Sequence, residues 1–163
     1  MRVGIGFDMH RFKQGRPLVL GGVAIEHDFG LDGDSDADVL THSIIDALLG
    51  ALSLGDIGSF FGVGTPNVIG ARSLNLLKNL CSQIKSEHKH TIVNIDTTII
   101  AQTPKLTTHR SAMIESLANA LSIDNSKVSV KFTTAKHMGA IGDSEGIACI
   151  AIANLVEINH SGI

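Results

Sequence analysis

Apolar positions along this chain follow two periods that take turns. The opening run "MRVGIGFD" reads as a first strand, and "RPLVLGGVAIEH" as a hairpin turning at Gly21-Gly22. A polar, Gly-rich loop continues to about Asp34. "DADVLTHSIIDALLGALSLG" then changes to helical spacing; Ser35 or Asp36 can cap it, and Gly55 ends it. "ARSLNLLKNLCSQIKSE" repeats the helical period at Leu74, Leu76, Leu77, Leu80 and Ile84. "TIVNIDTTIIA" predicts a strand carrying Ile92, Val93, Ile95, Ile99 and Ile100, and "LTTHRSAMIESLANALSI" predicts a further helix. "KVSVKFTT" alternates, with Val128, Val130 and Phe132 on one side, and "GIACIAIANLVEI" closes the series as a buried strand. Strands alternating with helices, plus one early hairpin, predict an α/β fold: a single-domain two-layer sandwich, with a mixed β-sheet and helices on one face. One domain is expected over 1–158, with a C-terminal tail at 159–163.

Composition narrows the function classes. The chain has 163 residues, 44% hydrophobic and 18% charged, which fits one soluble globular domain. It carries no apolar run of membrane-spanning length and no signal-peptide pattern, so no membrane association is expected. The expected location is cytoplasmic, or an organelle matrix if a transit segment has been removed. A net charge of −3 argues against a nucleic-acid surface. The charge is uneven: residues 1–60 hold four Lys/Arg against nine Asp/Glu, concentrated in "LDGDSDADVLTH". Such an excess suits a bound cation or a solvated loop. Cys81 and Cys149 stand alone in apolar contexts and read as buried free thiols. Tyr and Trp are absent, so stacking falls to six Phe.

Candidate chemistry starts at "GFDMH". Residues two apart on a strand share a face, so Asp8 and His10 aim the same way. On the first helix Asp38, His42 and Asp46 share a face at i, i+4, i+8. Asp8, His10 and His42 together make an Asp-His-His set, the pattern of a catalytic zinc site with one open position. Asp38 or Asp46 could orient the free ring nitrogen of His42. A solvated helix face is the plainer alternative. The D-x-D-x-D run at Asp32, Asp34 and Asp36 is no EF-hand, since Ala37 and Ser43 occupy the decisive glycine and glutamate positions. "GIGFDM" lacks the third glycine of a dinucleotide fingerprint and lies inside the strand. His27, His88, His90 and His160 read as exposed; His109 lies near a helix start and His137 near "TTAK". "TTAKHMGAIGDSEG" offers hydroxyls and free amides for phosphate, or is a plain connection. In "AQTPK", Pro104 fits a first helical turn, and Lys105 meets an anion or solvent.

"GFDMHRF", "GLDGDSDADVLTHSIIDALLGALSLGDIG", "NIDTTIIAQTPKL", "VKFTT" and "EGIA" come in the order and spacing of the 2-C-methyl-D-erythritol 2,4-cyclodiphosphate synthases. The chain resembles that family from about Arg2 to Leu155. The resemblance implies a homotrimer with sites at subunit interfaces. It also implies cyclisation of 4-diphosphocytidyl-2-C-methyl-D-erythritol 2-phosphate with release of CMP, in non-mevalonate isoprenoid biosynthesis. By the same resemblance Asp8, His10 and His42 bind Zn2+ or another divalent transition metal. Asp56 and Gly58 hold the ribose and methylerythritol region, and Ser35 contacts substrate. Ala101, Pro104, Lys105 and Leu106 form the pocket for the cytidine-diphosphate substrate, with Phe132 and Thr133 on its wall, and Thr134 contacts phosphate.

Four positions depart from the family. Asp34 stands where a histidine is usual, Val63 and Asp143 replace an aspartate and an arginine, and Lys136 replaces a glutamate. That glutamate contributes to a Mg2+ site, which leaves magnesium open here; a protonated lysine can instead neutralise phosphate as a point charge. Asp143 leaves the isoprenoid-diphosphate channel of the trimer open as well. Two other functions stay open beside the synthase. One is a zinc-dependent paralogue acting on another nucleotide diphosphate; the other is a non-catalytic trimer binding nucleotide or isoprenoid phosphates.

Overall fold

The computed structural model describes residues 1–62, 64–66 and 68–158. Val63, His160 and the expected tail at 159–163 lie outside the described residues. Strand β1 (Arg2–Gln14) runs past the predicted "MRVGIGFD", because it pairs antiparallel with β7 (Gly146–Glu157) and then with β4 (Phe29–Leu31). The hairpin β2 (Leu18–Leu20) and β3 (Val23–Ile25) turns at Gly21-Gly22 as expected, but forms a sheet of its own. Strands β5 (His90–Ile100) and β6 (Val128–Thr133) complete the main sheet, in the order β4-β1-β7-β5-β6. Among the described residues only β5 and β6 run parallel, joined by a helical crossover, so the sheet is mixed.

Helix α1 (Val39–Leu52) packs on β1 and β7; α2 (Ile57–Phe61) follows it; α3 (Ser73–Ser86) and α4 (Arg110–Leu121) cover β5 and β6. A short α5 (Gly139–Gly142) breaks the last loop. These helices lie on one face of the sheet, as the patterning predicts. Eleven of the fourteen α1 residues are buried, which explains an apolar character that extends almost all round it. Its cap is Asp38, three and two residues beyond the expected Ser35 and Asp36, and it ends on Ser53 in a left-handed conformation rather than at Gly55. Asp38 serves because its carboxylate also closes the β2–β3 turn. It accepts from Thr41 N (3.0 Å) and Thr41 Oγ1 (2.7 Å), and from Gly21 N (2.8 Å) and Gly22 N (2.7 Å). Burial pushes its carboxyl up, against the pull of those four donors.

Strand β5 does not alternate strictly, and a bulge between Ile92 and Asn94 explains it. The extra residue lets Ile92 and Ile95, three apart, both enter the core. On the other face of the sheet Val3, Ile5, Phe7 and Met9 of β1 stand 52–69% exposed beside Ile150 and Ile152 of β7. Cys149 is buried and Cys81 half-buried, and burial raises both thiols to about 12. His27, His88 and His90 are half-buried rather than exposed. His27 stacks 5.0 Å from Phe12, and His90 Nδ1 lies 2.6 Å from the His88 carbonyl oxygen. Among the described residues no helix is long and apolar enough to cross a membrane.

Candidate metal centre and substrate pockets

Two glycines in β1 bring the predicted ligands together. A Cβ at Gly4 would stand 2.0 Å from the Ala47 carbonyl oxygen, and a Cβ at Gly6 would stand 2.0 Å from that of Ser43. Without side chains there, α1 lies directly on the strand and His42 reaches the Asp8–His10 face. Asp8 Oδ2 is 3.0 Å from both His10 Nε2 and His42 Nδ1, and the two nitrogens are 3.3 Å apart. Donors at 2.0–2.1 Å around a tetrahedral ion sit about 3.3 Å from one another, so this oxygen and two nitrogens suit a divalent ion in number, type and spacing.

The surroundings hold each ligand. His10 Nδ1 is 2.6 Å from the Asp32 carbonyl oxygen, which accepts its proton and leaves Nε2 free for the cluster. Gly33 lets His10 lie close: a Cβ there would meet the ring at 3.2 Å. Arg16 clamps the acidic loop by donating to the carbonyls of Gly33 (2.6 Å) and Ser35. Burial opposes ionisation of Asp8, but hydrogen bonds and charge from the two imidazoles hold its carboxyl well below the usual range. Burial likewise opposes protonation of His10, while Asp8 and the Asp32 carbonyl raise it.

Neither expected carboxylate reaches the far side of His42. Asp38 is spent on the hairpin turn. Asp46 accepts from Ile57 N at 2.7 Å, at the start of α2. Burial raises the Asp46 carboxyl, helped by the charges of Asp8 and Asp56. His42 Nε2 instead meets Ser73 Oγ at 2.7 Å and Ser35 Oγ at 3.2 Å. Ser73 has no local signal of such a role; it reads as an ordinary helix start, 31 positions from His42 in the chain.

Asp34, Ser35 and Gly58 line one cavity of about 220 Å³ with the three ligands and Ile57, Gly62, Val68 and Leu76. Asp56 stands beside it, its carboxylate capping α2 through Ser59 N at 2.7 Å. Ala101, Pro104, Lys105, Leu106, Phe132, Thr133 and Thr134 line a second cavity of about 210 Å³, which shares no residue with the first. Arg110 lies over the Phe132 ring at 5.0 Å. Pro104 is not in a helical turn: the 3₁₀ turn Thr107–His109 begins only after it, leaving Pro104 on the cavity wall. Lys136 sits on an exposed turn with φ 53° and lines neither cavity. Asp143 ends α5.

A mixed sheet carrying an Asp-His-His cluster at its junction with a buried helix defines a candidate metalloenzyme of the two-layer α/β class. The chain matches the YgbB family over residues 1–156 and belongs to it. It is 49% identical over 155 residues to the 2-C-methyl-D-erythritol 2,4-cyclodiphosphate synthase of Synechococcus elongatus, covering 95% of this chain and 96% of that one. Among solved structures it is similar to the bifunctional IspDF of Campylobacter jejuni (40% identity, TM-score 0.91). That match covers 96% of this chain but 42% of the Campylobacter protein. It is also similar to the IspF of Plasmodium falciparum solved as a CDP complex, at 35% identity and TM-score 0.84, covering 97% of each chain.

Proposed function

We propose that this protein is a zinc-dependent cyclodiphosphate synthase of non-mevalonate isoprenoid biosynthesis. It cyclises 4-diphosphocytidyl-2-C-methyl-D-erythritol 2-phosphate to 2-C-methyl-D-erythritol 2,4-cyclodiphosphate and releases CMP. The observation that carries this reading is the Asp8–His10–His42 cluster facing a cavity walled by Asp34, Ser35 and Gly58. The name of the Synechococcus relative supports the reaction, and the CDP complex of the Plasmodium relative supports a cytidine nucleotide as the ligand.

An oxygen of the 2-phosphate attacks the β-phosphorus, the bond from that phosphorus to the bridging oxygen breaks, and CMP leaves with that oxygen. The nucleophile is already an anion, so the protein's work is positioning and charge neutralisation. Asp8, His10 and His42 would hold a divalent ion, Zn2+ by preference for this donor set, that supplies Lewis-acid neutralisation of phosphate charge. Asp56, Gly58 and Ser35 hold the ribose and methylerythritol end, with Asp34 on the same wall. Ala101, Pro104, Lys105, Leu106, Phe132 and Thr133 receive the cytidine, and Thr134 and Lys136 meet the phosphates. The Lys136 ammonium takes the place of a second, magnesium ion.

The two cavities share no residue, and the open sheet face is apolar. Both features support a homotrimer in which one protomer's cytidine cavity faces its neighbour's metal centre. A cytoplasmic or organelle-matrix location is part of the same proposal. Asp34 beside the ligand cluster favours one other reading, a paralogue that takes a different nucleotide diphosphate.

The test is CMP release from the family substrate with added zinc, measured against His42→Ala. Release far above that control is expected. No release across several divalent metals would refute the synthase reading, and release only from other cytidine diphosphates would favour the paralogue.

A further inference from the structure

The geometry points to a positioning role for Ser73 and Asp36. We infer that a carboxylate–hydroxyl–imidazole chain, Asp36–Ser73–His42, holds the proton of His42 on Nε2 and so keeps Nδ1 turned to the metal. The inference rests on the metal reading above, but its evidence lies on the opposite side of the ring.

Counting protons settles who donates. Ser73 Oγ is 2.5 Å from Asp36 Oδ1 and 2.7 Å from His42 Nε2. A hydroxyl has one proton, and an ionised carboxylate can only accept. The short approach to Asp36 therefore takes the Ser73 proton, leaving lone pairs toward His42. An unprotonated Nε2 would set one lone pair against another at 2.7 Å, so Nε2 must carry hydrogen. Ser35 completes the arrangement: its Oγ accepts from Ala37 N at 3.2 Å and lies 3.3 Å from Ser73 Oγ. Ser73 is fully buried and His42 is 8% exposed, so water is a poor competitor for these bonds.

The anchor is built from separate segments. Ser73 is the first residue of α3, where no earlier turn of that helix can satisfy its N–H. Asp36 Oδ2 accepts that N–H at 3.1 Å, so one side chain from the acidic loop both starts α3 and grips the hydroxyl. Asp36 N donates to the Ala71 carbonyl at 3.2 Å, and Gly70 N to that of Asp34 at 2.9 Å, tying the two segments along their backbones. The interposed serine thus does what a carboxylate bonded directly to a ligand histidine does elsewhere: it fixes the tautomer and strengthens the ligand.

Two measurements on the full chain test this. In the zinc-loaded protein, where coordination through Nδ1 already places the His42 proton on Nε2, nitrogen–proton NMR of the histidine rings is expected to show that proton exchanging with water more slowly in wild type than in Ser73→Ala; equal exchange in the two proteins would overturn the inference. Zinc affinity, read by competition with a chromophoric chelator, is expected to fall about 10–100-fold in Ser73→Ala. Ser73→Thr, which keeps the hydroxyl, is expected to recover most of that loss. Unchanged affinity in a Ser73→Ala protein that melts like wild type overturns this role alone. A wild type that binds no zinc overturns the metal reading itself, and this role with it.

Discussion

Gly6 lies so close to Ser43 that a methyl group on its α carbon would stand 2.0 Å from the Ser43 carbonyl oxygen. This contact sets the distance between β1 and α1, and His42 is the neighbour of Ser43 in the chain. Gly6→Ala forces helix and strand apart at the point where the ligands meet. We expect a loss of about 1–3 kcal/mol in denaturant unfolding, the usual cost of overpacking. Zinc affinity should fall as well, since His42 moves with α1. A variant with wild-type stability and wild-type zinc affinity would show that the contact does not set the site.

Asp38 joins the helix that carries His42 to the β2–β3 hairpin, accepting two hydrogen bonds from Thr41 on one side and one each from Gly21 and Gly22 on the other. Asp38→Asn keeps the shape, but turns an acceptor oxygen into an NH₂ group that faces backbone donors. Leaving buried donors unpaired costs about 1–3 kcal/mol each, so a loss of about 2–4 kcal/mol is expected. Urea titration of the two proteins decides it, and a change below 1 kcal/mol would mean that the hairpin adjusts freely.

The apolar stripe on the open sheet face pairs Ile5 with Ile152 and Phe7 with Ile150 across β1 and β7. Burying such side chains stabilises an assembly by about 1.5–3 kcal/mol each. Under the trimer proposal, Ile5→Asp should shift the protein from trimer to monomer in sedimentation. CMP release should fall with it, because the two cavities then no longer meet. A wild type that sediments as a monomer would remove the basis for a shared site.

Lys136 occupies a left-handed conformation, φ 53°, on an exposed turn. Glutamate carries the same Cβ, so Lys136→Glu adds little backbone strain. If the ammonium stands in for a magnesium ion, the variant should need added magnesium for full CMP release where the wild type does not. An identical magnesium response in the two proteins would detach this position from metal dependence.

Much of the scaffold was readable from periodicity. The hairpin at Gly21-Gly22, the helix bearing His42, and the strands carrying Val128 and Ile147 follow from spacing and turn chemistry over a few residues. Element ends were less readable. The first strand continues to Gln14 because β4 and β7 offer it partners, and β5 bulges at Ile92 to suit its neighbour. Both depend on residues fifteen or more positions away, which no local pattern reports. The missed short helices α2 and α5 are too brief to show a period.

The ligand set shows the same division. By itself the sequence determined that Asp8 and His10 share a strand face and that His42 lies on an apolar helix, because strand and helix periods are properties of the backbone. Only the tertiary structure decided that these groups meet, and that Ser73 rather than Asp38 or Asp46 stands behind His42. Helical spacing puts His42 and Asp46, with the cap residue Asp38, on one side of α1. Which of them bonds to which depends on what packs there, and the hairpin turn claims Asp38, α2 claims Asp46, and the start of α3 brings Ser73 to the ring.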